Sequence, residues 1–300
     1  MLESTPSWLW IVFTLLAAGA QTARNAMQRG LTGTLGTAGA THVRFLFGLP
    51  FALVFLSITG LVFAIEPLQF SNEYLLWLFM GAITQILATA AMLRAMRERS
   101  FVVTTAVIKT EPIQAAVFAS IALSEYLGPL AYLAILVATA GVLVMSWPNA
   151  RTGPVGWQPV LIGVAGGGLF ALSAVGFRGA ILSLGDNPFY IRATVTLTCG
   201  LSVQSVLLSI WLRWRQPGVL SEIFQAWRPS LLAGFMGALG SQLWFLAIAI
   251  QSVAMVRTLA LVEILMAQVV SRKLFSQNTS KAEAFGITLI VTGVVVLLNV

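Results

Sequence analysis

Runs of about twenty apolar residues, separated by short polar turns, recur along the whole 300-residue chain. A helix needs about 20 such residues to cross a bilayer. The pattern predicts ten spanning segments: Trp8–Gln28, Gly36–Ala64, Tyr74–Met96, Phe101–Leu123, Leu127–Trp147, Gly156–Leu184, Phe189–Leu212, Pro229–Ala249, Val253–Lys273 and Ala282–Val300. Turn-forming stretches fall between them: Thr32–Gly36, Glu66–Asn72, Gly128–Pro129, Asn149–Pro154, Gly185–Pro188, Arg215–Gly218 and Gln277–Ser280. Trp8, Trp10, Trp77, Trp147, Trp157, Trp211, Trp214 and Trp227 lie mostly near segment ends, as an interfacial aromatic belt places them. That belt accounts for the tryptophans without an aromatic ligand.

The pattern also repeats. Ser100–Glu125 (SFVVTTAVIKTEPIQAAVFASIALSE) is echoed 152 positions later by Ser252–Gln277 (SVAMVRTLALVEILMAQVVSRKLFSQ), which sets Glu263 opposite Glu111. Arg24 answers Arg178, His42-Val-Arg44 answers Tyr190-Ile-Arg192, Gly81-Ala82 answers Gly237-Ala238, and Gly141-Val142 answers Gly293-Val294. The order is kept over five segments, so residues 1–150 and 151–300 are expected to be two copies of a five-helix unit. Five is odd, so the second copy enters the membrane from the opposite side. The expected fold is an all-α integral membrane protein of ten helices in two inverted five-helix repeats. Ligand sites in such architectures lie near the midplane, between the repeats.

Composition agrees. Mean hydropathy is +0.90 and only 9% of residues are charged, against about a quarter in soluble domains. The net charge of +7 follows the loops and does not indicate nucleic acid as a partner. Arg24, Arg29, Arg94, Arg97, Arg99, Arg151, Arg213, Arg215, Arg228, Arg272, Lys273 and Lys281 cluster at alternate connections. The other connections carry Glu66, Glu73, Glu125 and Asp186 without Lys or Arg. The positive-inside rule then puts the basic connections in the cytoplasm and both termini on the outer, periplasmic side of an inner membrane. Glu3 precedes the first apolar run and no basic residue does, so a cleavable signal is not expected. The one cysteine, Cys199, excludes a disulfide framework.

The 5+5 pattern, the arginine of the second segment and the stretch TEPIQAAVFASIALSE…AGVLVM resemble the EamA type of the drug/metabolite transporter superfamily. Glu111-Pro112, Ser124-Glu125 and Gly141 fill the places of that family's fourth- and fifth-helix pattern; Ile264 and Gln277 depart from it in the second copy. The resemblance implies a multi-pass transporter of small metabolites, with export of amino acids or related compounds leading and uptake of a vitamin, cofactor or nucleotide-like compound second.

Several polar residues fall inside the predicted spans. At ~1.5 Å per residue, Glu111 lies roughly 16 Å from Ser100, about mid-bilayer. Glu111 and Glu263 can couple protons or bind substrate; alternatively Lys109, Arg257 or an arginine of the second or seventh segment neutralises each. Lys109 and Glu111, two residues apart, point to nearly opposite faces of a regular helix, with Lys109 toward the cavity. Arg257 lies near enough to an end to snorkel. Gln21, Arg24, Asn25 and Gln28 share one helix face, which lines a vestibule or closes a gate. His42, Arg44, Arg178 and Arg192 are expected to act as gate or packing residues. Gln85, Ser241, Gln242 and Trp244 are expected either to pack helices or to wall a ligand cavity. Gly166-Gly167-Gly168 is a packing or flexing point. Six embedded cations (Arg24, Arg44, Lys109, Arg178, Arg192, Arg257) against two anions (Glu111, Glu263) favour a substrate bearing a carboxylate or phosphate.

Enzyme classes are poorly served. Intramembrane aspartyl chemistry needs two Asp and metalloprotease chemistry a His pair, whereas Asp186 and His42 each stand alone inside or beside the spans. No cofactor or metal is expected. The expected function is secondary transport by alternating access, with a small-molecule substrate, membrane lipid and possible protons as partners.

Overall fold

The computed structural model describes residues 6–95, 101–146, 157–265 and 280–300. Among the described residues the regular structure is all helical: α1 (Leu9–Leu46), α2 (Leu49–Val62), α3 (Asn72–Ala95), α4 (Phe101–Ile108), α5 (Glu111–Ala122), α6 (Pro129–Ser146), α7 (Trp157–Leu182), α8 (Phe189–Arg215), α9 (Val219–Gln225), α10 (Trp227–Ile250), α11 (Val253–Leu259) and α12 (Lys281–Leu298). Among the described residues, six stretches are long and apolar enough to cross a membrane: Leu9–Val62, Asn72–Ala95, Trp157–Leu182, Phe189–Arg215, Trp227–Ile250 and Lys281–Leu298. Pro129–Met145 is a shorter apolar helix. These features are those of a multi-pass helical membrane protein. Arg97, Arg99, Ser100, Trp147, Arg151, Val269, Arg272, Lys273, Ser276 and Gln277 lie outside the described residues.

The predicted segments meet these helices with instructive differences. The turn expected over Thr32–Gly36 is helical except at Gly36, whose φ of 66° and ψ of 179° break the 38-residue α1. Gln28 Nε2 nevertheless donates to the carbonyl of Ala40 at 2.9 Å. In a straight helix those residues stand about 18 Å apart, so the chain folds back at Gly36. Glycine enters this positive-φ region without the Cβ penalty. The second predicted segment is interrupted between α1 and α2, where Pro50 opens α2. A short helix, α9, occupies residues the pattern left unassigned. The last helix starts with a full capping box: Ser280 Oγ accepts from the Glu283 amide, and the Glu283 carboxylate accepts from the Ser280 amide.

The fourth and ninth predicted segments are each broken. Lys109 and Thr110 donate to carbonyls three residues back, Ala106 and Val107, and α5 begins at Glu111 with Pro112 in its first turn. The same tightening appears 152–153 positions on, where Leu261 and Glu263 donate to Thr258 and Ala260. Short-range bonds of this kind inside a helix mark hinges or strain. Pro112 explains the first break by removing an amide donor. Ile264 stands in the corresponding place in the second, so proline is not the common cause.

Small residues let these helices meet closely. The main packing pairs are α1 with α10, α3 with α7, α6 with α12, α7 with α4 and with α5, α2 with α8, α8 with α10, and α5 with α11. A Cβ on Gly141 would stand 2.7 Å from the carbonyl oxygen of Gly286, and one on Gly293 2.7 Å from that of Ala134. On α7, a Cβ on Gly167 would stand 2.9 Å from the carbonyl oxygen of Ile108, the last residue of α4. The triple glycine is thus the bed on which the α4–α5 break lies. Outward-facing positions are apolar, with Leu61, Leu76 and Ile121 more than 70% exposed, whereas Arg24, Gln28, His42, Arg44 and Gln204 are buried. That distribution suits a lipid-facing surface around a polar interior.

Gly141→Leu and Gly293→Leu are expected to lower the thermal midpoint of the detergent-solubilised protein, by overpacking worth about 1–3 kcal/mol. Gly19→Leu, where a Cβ meets nothing within 4 Å, should leave it unchanged. Melting curves of the three variants check this.

Candidate functional site

Both helix breaks open onto one cavity of about 130 Å³, lined by Gln21, Arg24, Asn25, Met92, Ile108, Lys109, Glu111, Phe170, Arg257 and Glu263. It is smaller than the ~300–1,000 Å³ of drug-sized sites and suits a small metabolite. A narrower pocket of about 20 Å³ shares Gln21, Phe170 and Arg257 with it and extends the site to Arg44, Gln85, Ser241 and Trp244.

The charges at the breaks pair crosswise. Lys109 Nζ is ion-paired with Glu263, and Arg257 Nε stands 3.0 Å from Glu111 Oε1. Each pair joins α4–α5 to the stretch following α10, more than 140 residues away in sequence. Glu111 Oε1 and Arg257 Nε make no aligned hydrogen bond; attraction between unlike charges holds them. The helix ends add to it. Glu111 sits in the first turn of α5 and Arg257 in the last turn of α11, the ends whose dipoles favour an anion and a cation respectively. The guanidinium of Arg257 also lies over the Trp244 ring, 4.4 Å from its centre, a cation–π contact.

Two expectations change here. Lys109 and Glu111 do not face opposite ways, because the chain is not a regular helix between them; both line the cavity. Arg257 does not snorkel to an interface. Its Glu111 and Trp244 contacts hold it inward.

The polar stripe of α1 contributes Gln21, Arg24 and Asn25 to the cavity. Gln21 Oε1 accepts from Trp244 Nε1 at 3.1 Å. Arg24 donates to Asn25 Oδ1, from Nη2 at 2.7 Å and Nε at 3.2 Å. Gln28 is turned instead into the hairpin at Gly36. Arg44 donates to the hydroxyls of Thr89 and Ser241, both at 3.2 Å.

Other candidates lie elsewhere. Gln85 lines the narrow pocket and accepts from Gln204 Nε2 at 2.9 Å, a residue the sequence reading passed over because a lone glutamine carries no periodic signal. Gln242 faces away and donates to Thr194 at 2.9 Å. One helical step separates it from Ser241, enough to put it on the α8 side. His42 is hydrogen-bonded to Ser209 at 2.9 Å, a half-turn from Arg44 and outside the cavity.

Arg178 and Glu125 form an ion pair near the ends of α7 and α5 and line neither cavity. Arg178 Nη1 also donates to the carbonyls of Ile248 and of Gln251, the latter at 2.8 Å, so one guanidinium ties together the ends of α5, α7 and α10. Arg192 is half-buried, and its Nε has no hydrogen-bond partner. At the other end of the bundle, Gly36, Thr37, Ala90, Ala91, Arg94, Ile162 and Gln216 line an open cleft of about 960 Å³.

Comparison with known proteins adds the fold alone. No family model matches the sequence, and no curated protein does. Among solved structures, 28 chains match. One of these, a crystal structure 15% identical in sequence, superposes with a TM-score of 0.65 over 96% of this chain and 95% of its own.

Removing one member of a fully buried ion pair costs about 3–5 kcal/mol, and the Arg257 and Glu111 side chains are 11% and 13% exposed. Arg257→Met is therefore expected to lower the thermal midpoint clearly. Adding Glu111→Met should restore most of the loss, since no uncompensated charge remains. A double-mutant cycle of melting curves measures the difference.

Proposed function

We propose that the protein is a secondary active transporter of a small polar metabolite, working by alternating access between two inverted five-helix repeats, residues 1–150 and 151–300. The observation that carries this reading is the cavity between two broken helices, with Lys109–Glu263 and Glu111–Arg257 crossing it. Discontinuous helices around a central site are the usual construction of such transporters. A channel would not need the paired breaks, and a scaffold would not need the charges.

The packing supports the repeat. If α4–α5 counts as one span and Gly36 divides two, exchanging the first five spans for the last five turns α1–α10 into α7–α3. The same exchange returns α6–α12, α2–α8 and α5–α11 to themselves. A two-fold relation requires that behaviour. The EamA type of the drug/metabolite transporter superfamily has this design, and the TEP…SE and AGVLVM motifs agree with membership.

Alternating access gives the two ends of the bundle a meaning. The open cleft lies at the end carrying Arg94 and Gln216, next to the basic connections; the Arg178–Glu125 pair lies at the opposite end, beside the acidic ones. With the basic connections cytoplasmic, this conformation faces inward and Arg178 latches the outer gate. The termini are then outside the inner membrane. The excess of cations in the site favours a substrate bearing a carboxylate or phosphate, and export is the expected direction.

In a Cys199→Ala background, Asp186→Cys should react with a membrane-impermeant maleimide added to intact cells and Gln216→Cys only after permeabilisation; the reverse result overturns the orientation. Glu111→Gln and Glu263→Gln are expected to abolish transport while membrane levels stay near normal. Metabolites in the medium of cells overproducing wild type or Glu263→Gln decide the function: compounds accumulating outside only with wild type establish export, and compounds depleted establish uptake. Normal transport by both variants would remove the carboxylates from the mechanism.

A further inference from the structure

Among the described residues, two cations in the site have no charge to answer them. Arg24 is 1% exposed and Arg44 3%. Every hydrogen bond that Arg24 and Arg44 make with the described residues goes to a neutral group: the Asn25 amide, the Thr89 hydroxyl, the Ser241 hydroxyl. Arg24 Nη1 and Arg44 Nε have no hydrogen-bond partner among the described residues. The carboxylates nearby are committed, Glu111 to Arg257 and Glu263 to Lys109. Among the described residues, the two joined cavities hold four cations against two carboxylates.

The two arginines are neighbours. A Cβ placed on Gly237 would stand 3.1 Å from Arg44 Cγ and 3.5 Å from Arg24 Cδ, so the chain has no side chain where the two stems converge. Arg24 lines the wider cavity and Arg44 the narrower one. A buried charge without a counter-ion destabilises a fold, and a chain retains one where a ligand supplies the missing charge.

We infer that Arg24 and Arg44 form the anion subsite of this cavity, and that the substrate is a small dianion whose two negative charges balance them. This rests on the transport reading and names the charge of what is carried. Guanidinium forks grip carboxylate and phosphoryl oxygens in pairs of parallel hydrogen bonds, so a dicarboxylate or a phosphate monoester fits the chemistry. Arg24 Nη1 and Arg44 Nε are the donors left for it. With the anion bound, the four cations lining the two joined cavities are balanced by Glu111, Glu263 and the two charges of the ligand.

The test uses the purified full-length protein in detergent, so it does not depend on transport being observed. Thermal stabilisation is measured with succinate, glycerol phosphate, butyrate and choline. Succinate, glycerol phosphate or both are expected to raise the midpoint, with butyrate and choline doing far less; which dianion acts tells dicarboxylate from phosphoryl recognition. Arg24→Gln and Arg44→Gln should each weaken that binding about tenfold or more, and their ligand-free forms should melt at or above the wild-type temperature, since each loses an uncompensated charge. Three results would overturn the inference: no stabilisation by either dianion, stabilisation that survives in the double variant, or ligand-free variants that melt well below wild type, which would make the arginines helix-packing groups. Dianion binding without detectable transport in cells would keep this subsite and fail the transport reading instead.

Discussion

A charge inside a low-dielectric interior must meet an opposite charge, and in this chain the meetings happen across the molecule. Lys109 reaches Glu263 and Glu111 reaches Arg257, so the polar centre exists only when α4, α5 and α11 come together. Neither carboxylate has its cation on its own stretch of chain in usable geometry. Tertiary assembly and charge compensation are therefore one event. This constraint explains why the helices stop where they do: an unbroken α4–α5 would turn Lys109 and Glu111 to opposite sides, and one would lose its partner.

The breaks need support of their own, because each frees backbone groups from the regular helical hydrogen-bond ladder. Tight three-residue hydrogen bonds recover some of them. The glycine bed of α7 then brings the backbone of Ile108 within contact of another helix. The dipoles of α5 and α11 point their ends at Glu111 and Arg257 with the favourable signs, which adds stabilisation without further side chains. The site is thus made as much by glycines and helix ends as by ionisable residues.

Much of this was legible in the amino-acid order. The apolar runs located the helices, and the echo between Ser100–Glu125 and Ser252–Gln277 singled out the two broken stretches. The charged residues of the cavity stood out because they are rare in apolar surroundings. What could not be read were the directions of side chains at a break. Lys109 and Glu111 look opposed only if the helix is regular, and Ile264 gives no hint that the second helix also stops. The choice between snorkelling and pairing for Arg257 stays open in the amino-acid order, because its Trp244 and Glu111 partners are distant in sequence or set by the fold. Gln204 and Ser209 stayed invisible for the same reason, and Gln242 differs from Ser241 by a rotation that composition does not encode.

The seam between α6 and α12 carries a mechanical consequence. Glycines on both helices bring backbone against backbone at Gly141–Gly286 and Gly293–Ala134, with the β-carbons of Ala138, Met145 and Leu289 packed beside them. A contact of that kind resists sliding, since any shift along the axes drives Cα hydrogens and carbonyls into one another. The seam therefore resists translation, and the rocking motion of the transport reading would have to turn about it rather than slide along it.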